Sequence, residues 1–131
     1  MEQLSELYQS DDWKTEKHVP VITAPEQVKI HERFDVSVTV GQQVEHPNTT
    51  PHHIRWIQLF FLPEGKKIPI EVTSAEFAAH GDHSADEDEQ GVYTDPTVST
   101  RLKLDSPGTL MASSYCNIHG LWQSSKAIAC E

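Results

Sequence analysis

Alternation of apolar and polar residues dominates the chain from residue 28 onward. Val28, Ile30, Phe34, Val36, Val38 and Val40 hold even positions; Lys29, His31, Arg33, Asp35, Ser37 and Thr39 hold odd ones, and Glu32 alone breaks the pattern. Period two sends successive side chains to opposite faces, so residues 28–40 read as one long strand, buried on one side and wet on the other. Gly41 ends it. Residues 54–62 are dense in aromatic and branched apolar side chains and read as a strand buried on both faces, closed by the turn Pro63-Glu64-Gly65. Residues 68–79 resume as a strand with Ile70, Val72 and Phe77 inward. The acidic stretch 80–96 reads as a long solvated loop. Val98, Leu102 and Leu104 mark another strand, Ser106-Pro107-Gly108 a tight turn, and residues 110–115 and 122–129 the last two strands. Residues 1–13 lack a period and form an N-terminal extension, loose or docked. No helical stripe is present. The pattern predicts a single all-β domain over residues 1–131, an antiparallel β-sandwich of about seven strands and immunoglobulin-like type.

Charge narrows the functional classes. The 131 residues carry a formal net charge of -10 and a pI near 5.1, which excludes a general nucleic-acid binder and adhesion to anionic membranes. An anionic substrate would need local positive charge at its site. The start of the chain shows no secretory pattern, and no apolar run reaches membrane-spanning length. The expectation is a cytoplasmic protein whose two cysteines, Cys116 and Cys130, are reduced. A thiol near histidines is then a metal ligand or a catalyst before it is a bridge.

Three short polar stretches carry that chemistry: Glu16-Lys17-His18-Val19-Pro20, His46-Pro47-Asn48-Thr49-Thr50-Pro51-His52-His53, and Cys116-Asn117-Ile118-His119-Gly120. Each adjoins a strand. One thiolate among several imidazoles suits a redox-active transition metal and not calcium or magnesium, which prefer oxygen. Cys116-x-x-His119 is a chelating turn, and the Pro-punctuated loop can fold two imidazoles toward one point. Spacing leaves open whether His52 or His53 is the second; alternation says that they point apart, so both should not bind.

Together, in this order, the three motifs resemble the superoxide reductases, in particular their short single-iron neelaredoxin type. The resemblance runs from about Trp13 to Trp122 and includes Phe61-Leu62-Pro63-Glu64-Gly65. It implies one-electron reduction of superoxide to hydrogen peroxide at one non-haem iron, re-reduced by an external donor. It implies that His18, His46, His52 and His119 hold the iron in a plane, with Cys116 as axial thiolate; the three residues between Asn48 and the liganding His select His52. Glu16 matches the residue that caps the sixth position in the oxidised state, and Lys17 the residue that draws in superoxide. A rubredoxin-like donor and a homotetramer are implied partners. Hydrogen bonds from backbone N–H groups of the 116–119 turn should temper the sulfur's donation.

Other candidates rank lower. His80, Gly81, Asp82 and His83 resemble a weak metal site beside Asp86-Glu87-Asp88-Glu89, and a solvated loop is favoured. Cys130 reads as a free thiol, His31 as a polar-face residue without special role, Trp13, Trp56 and Trp122 as core or shielding residues, Asn48 and Asn117 as loop-ordering ones. The rival readings are a blue-copper electron carrier, which would want a Met shortly after His119 where Gly120-Leu121-Trp122-Gln123-Ser124 has none, a dismutase activity at the same site, and an immunoglobulin-like binding module.

Overall fold

Ten strands follow a short 3-10 helix (Leu4–Glu6) in the computed structural model, which describes residues 2–83 and 90–131. They are β1 (Pro20–Thr23), β2 (Gln27–Val28), β3 (Phe34–Val40), β4 (Ile54–Pro63), β5 (Ile70–Glu76), β6 (His80–Asp82), β7 (Val92–Tyr93), β8 (Thr97–Leu102), β9 (Gly108–Cys116) and β10 (Gly120–Cys130). A sheet ordered β1-β3-β8 faces a sheet ordered β2-β10-β9-β4-β5, and β6 pairs with β7 in a small hairpin. Apart from β2, which runs parallel to β10, the pairings are antiparallel. This is the expected β-sandwich, with seven strands of four or more residues and three shorter pieces.

The alternating pattern explains the core. Val36, Val38 and Val40 of β3 pack toward Ile57, Leu59 and Phe61 of β4, Leu110 and Ala112 of β9, and Ile128 of β10. Each such burial removes enough apolar surface to contribute about 1.5–3 kcal/mol. The same strands set the ends of the polar stretches. β1 begins two residues after His18, β4 begins two residues after His52, and β9 ends at Cys116, which pairs across to Ile54 and Gly120. All three motifs therefore emerge at one end of the sandwich. Gly41 (φ +83°) lets the chain leave β3 toward His46; a Cβ there would lie 2.6 Å from the His46 backbone nitrogen.

The structure departs from the pattern in several places. Residues 28–40 are not one strand. Val28 pairs with β10, the chain turns through His31 in the left-handed region (φ 66°), and β3 starts only at Phe34. Ile30 is consequently exposed, and the turn falls beside Glu32, the one position where alternation breaks. His31 meets Asp105 at the surface (2.8 Å). β4 is fully buried on one face only: Trp56, Gln58, Phe60 and Leu62 stay half-buried. Ile70, expected inward, is 56% exposed at the start of β5, the edge strand of its sheet; Phe77, just past its end, is buried. Stretch 80–96 holds the β6–β7 hairpin and is not all loop. The run Asp86-Glu87-Asp88-Glu89 lies outside the described residues. Cys130 is a free thiol near the Leu104 carbonyl.

Candidate metal centre

Each expected ligand is held by its own local scaffold. His18 is buried, and its carbonyl accepts the Ser114 hydroxyl of β9 (3.4 Å). The His18 Nδ1 lies 2.6 Å from the Glu16 carboxylate, which also accepts the His18 backbone N–H (3.0 Å). The indole of Trp122 stacks on the ring (4.9 Å, 12°). His46 is buried, and its Nδ1–H donates to the Pro47 carbonyl (2.6 Å), so the lone pair must sit on Nε2. His52 is held by reciprocal backbone bonds with Thr49 (2.9 and 3.2 Å). Asn117 ties this loop to the cysteine turn: its side-chain oxygen accepts the His53 N–H (2.8 Å), and its amide donates to the Pro51 carbonyl (3.0 Å).

The imidazoles stand at the corners of a near square. Ring centroids are 4.8 Å apart for His18–His46, 4.8 Å for His46–His52, 5.0 Å for His52–His119 and 4.6 Å for His119–His18. The His18–His52 diagonal is longer, 6.3 Å. Cys116 is fully buried beside them, and the ligating atoms of His18, His52, Cys116 and His119 all lie within 4.8 Å of one another. The Cys116 sulfur accepts the His119 backbone N–H (3.4 Å), the bond anticipated for tempering its donation.

Whether a metal fits can be judged from the nitrogens themselves. The Nε2 atoms of His46 and His52 are buried and have no hydrogen-bond partner. Such orphans are costly unless something takes up their lone pairs. A cation at the centre of the square would do so, with the thiol ionised against it. Burial favours the neutral form of the His18, His46 and His52 rings, the form a ligand needs. Burial lowers the pKa of His46 to about 4, helped by the charges of His18, His52 and Lys17 and opposed by the Pro47 hydrogen bond. Burial also lowers His18 against the raising effect of Glu16, and lowers His52 together with the charges of His119 and His18. Burial raises the Glu16 carboxyl, but its hydrogen bonds to His18 outweigh that and leave it below the ordinary value. Lys17 is half-buried, makes no ion pair among the described residues, and contributes to lowering all three of these histidines.

The ligating atoms of His18, His52, Cys116 and His119 thus form one group, and the His46 ring stands 4.8 Å from those of His18 and His52. The Glu16 carboxylate lies 2.6 Å from the His18 Nδ1, the nitrogen that faces away from His119. His53 points away from the square and stacks on His80 (3.6 Å, 6°). The solvated-loop expectation for His80 fails, because the ring is buried, 2.9 Å from the Asn48 side-chain oxygen and 2.8 Å from the Phe77 carbonyl. Asn48 also donates to the Thr94 carbonyl (3.0 Å), so it orders its loop as expected. Asp82 and His83 are exposed and join no metal-binding cluster among the described residues. Two contributors escaped the sequence, Gln9 and the stacking role of Trp122. Gln9 donates to the His119 carbonyl (2.8 Å) from a segment whose composition gave no signal.

Known proteins match this arrangement over nearly its whole length. A family model described as desulfoferrodoxin matches residues 10–125. The neelaredoxin of Megalodesulfovibrio gigas is 52% identical over 126 residues, 96% of this chain and 97% of that protein. The superoxide reductase of Pyrococcus furiosus is 49% identical over 121 residues, 92% of this chain and 95% of that protein. The reduced superoxide reductase (neelaredoxin) of Archaeoglobus fulgidus, a solved structure, is 49% identical with a TM-score of 0.80, covering 94% of this chain and 98% of that one. A Thermotoga maritima protein of known structure superposes at TM-score 0.91 with 51% identity, covering 100% of this chain and 99% of that one.

Proposed function

The chain belongs to the desulfoferrodoxin family, and from that premise we infer that it is a superoxide reductase, taking one superoxide, one external electron and two protons to one hydrogen peroxide. The observation that carries the reading is the square of four imidazoles beside a buried thiol. The metal is iron, held by His18, His46, His52, His119 and Cys116; when bound it supplies the electron that superoxide accepts.

The remaining work falls to side chains around that site. Lys17 attracts the anion against a net charge of -10. At ~4 Å one ammonium gives about 1 kcal/mol in water and about 4 kcal/mol at an effective dielectric near 20. Glu16 fixes the His18 tautomer, leaving Nε2 as the donor, and increases the ring's basicity. The His119 N–H draws charge from the Cys116 sulfur. The Pro47 carbonyl does for His46 what Glu16 does for His18. His119 is exposed, so the centre opens to solvent on its side, where a small anion can arrive.

A blue-copper carrier is not favoured, since four imidazoles converge and not two. The proposal extends, on family resemblance, to a rubredoxin-like donor, a homotetramer and a cytoplasmic location; no helix of the described residues is long and apolar enough to cross a membrane. Stoichiometry under a steady superoxide flux tests the activity. Reduction yields one peroxide per superoxide and no oxygen, with one donor electron consumed. Oxygen release at half the superoxide consumed would make the protein a dismutase instead.

A further inference from the structure

We propose that Gln9 and Trp122 are positioning residues of the metal centre: together they clamp the N-terminal segment onto the 116–120 turn, fixing the His119 carbonyl and both ends of loop 10–17. The inference rests on the superoxide reductase reading for its metal, and on the geometry alone for the clamp.

His119 is the one proposed ligand that is solvent-exposed; His18, His46 and Cys116 are buried and His52 is half-buried. The ring itself is held on one side only, where its Nδ1 lies 3.0 Å from His18 Nε2 and 3.8 Å from the Cys116 sulfur, and the backbone supplies the rest of its anchorage. Its carbonyl accepts two side-chain N–H groups, from Gln9 Nε2 (2.8 Å) and Trp122 Nε1 (3.3 Å), which use both of its lone pairs. The backbone of Gln9 is locked at the same place. Its N–H donates to the Leu121 carbonyl (3.0 Å), its carbonyl accepts the Gln123 N–H (2.9 Å), and it bridges Trp122 in parallel. Gln9 thus adds a one-residue strand to the edge of β10 where the ligand turn ends.

Trp122 holds the other end of the segment too. Its indole, 7% exposed, stacks on His18. Between Gln9 and His18 the chain curls over the Asp12 carbonyl, which accepts the N–H groups of Thr15 (3.0 Å) and Glu16 (2.9 Å). Loop 10–17, which carries Glu16 and Lys17, is therefore closed on a single tryptophan. Closing both ends removes conformational freedom that would otherwise smear the positions of Glu16 and Lys17.

The test compares wild type with Gln9→Met, which keeps length and loses the donor, with Trp122→Phe, which keeps a ring and loses the N–H, and with the double variant. Two readouts are taken: iron loss from the reduced protein to excess ferrozine, and hydrogen exchange of the His119 amide in the metal-free chain. Each single variant is expected to release iron roughly tenfold faster, as loss of an outer partner of a metal ligand does. Each should likewise speed His119 exchange several-fold. The double variant should fall short of the product of the singles, because both donors serve one carbonyl. Iron release and exchange both within twofold of wild type would overturn the clamp. So would faster exchange spread evenly over the sandwich, which marks plain destabilisation. Wild type that takes up no iron, with His119 exchange still altered in the variants, would leave the clamp standing and remove the reductase reading.

Discussion

Acid should unfold the metal-free protein through His46. The ring is buried, and burial holds its pKa at about 4 against an ordinary 6.5. In the folded chain His46 therefore stays neutral down to about pH 4, while the unfolded chain takes up a proton near 6.5. Above pH 7 neither state is protonated and the group has no effect. As pH falls from 6.5 to 4 the unfolded state alone gains the proton, and stability is lost progressively. A depression of 2.5 units at about 1.36 kcal/mol per unit sets the loss at about 3 kcal/mol as an upper limit. His18, His52 and His80 are depressed as well and add loss of the same sign. Urea unfolding of metal-free wild type and His46→Gln, at pH 7 and pH 4, isolates the one residue. The variant starts lower in stability, but wild type should lose up to about 3 kcal/mol more between the two pH values. Equal losses would refute the reasoning, because His46 would then titrate alike in both states. A corollary follows for the metal. Since His46 is already neutral at pH 7, its binding should release no proton from that ring.

Lys17→Ala should slow superoxide capture roughly tenfold at low salt and flatten its dependence on ionic strength; an unchanged second-order rate in pulse radiolysis would remove the steering role. Gly108→Ala should destabilise by about 1–3 kcal/mol, towards the upper end, because its Cβ would collide with the Leu62 carbonyl oxygen and fall 2.6 Å from Phe61 Cζ. Chemical unfolding reads this directly, and a neutral result would mean that the β4–β9 approach is looser than described. His80→Phe keeps a ring on His53 but removes the single N–H that the neutral imidazole can give to either of its two facing oxygens, the Asn48 side-chain oxygen or the Phe77 carbonyl. It should cost about 1–3 kcal/mol, with unchanged urea stability as the contrary outcome.

The cluster of thiol and imidazoles is legible because both are scarce residue types gathered in three short stretches beside strands. Choosing His52 over His53 needed the family pattern, and the structure gives the physical reason: His53 turns to stack on His80. That contact joins residues far apart in the chain, which is why residues 80–83 read as loop. Strand boundaries were harder. Period two resumes in the same register after the turn at His31, so the misplaced Glu32 is its one mark in the sequence. β1 was missed because Pro20-Val21-Ile22-Thr23 is too short to show a period. Ile70 looked like core because alternation says nothing about which strand lies at an edge. The Glu16 role rests on the resemblance alone, since a carboxylate two residues from a histidine carries no signal in the sequence; the structure puts it 2.6 Å from the His18 Nδ1. Gln9 carried no signal, since a lone glutamine in an aperiodic segment has no chemistry until its partner is in place.

The central claim is that four imidazoles from three distant segments and one thiolate meet at a single iron. Iron K-edge X-ray absorption on the reduced protein, with metal analysis per chain, measures that shell. About one iron per chain with one sulfur and four nitrogen neighbours is the expected result, the sulfur vanishing in Cys116→Ser. A shell of oxygen neighbours only, or a sulfur contribution that survives that substitution, would contradict it.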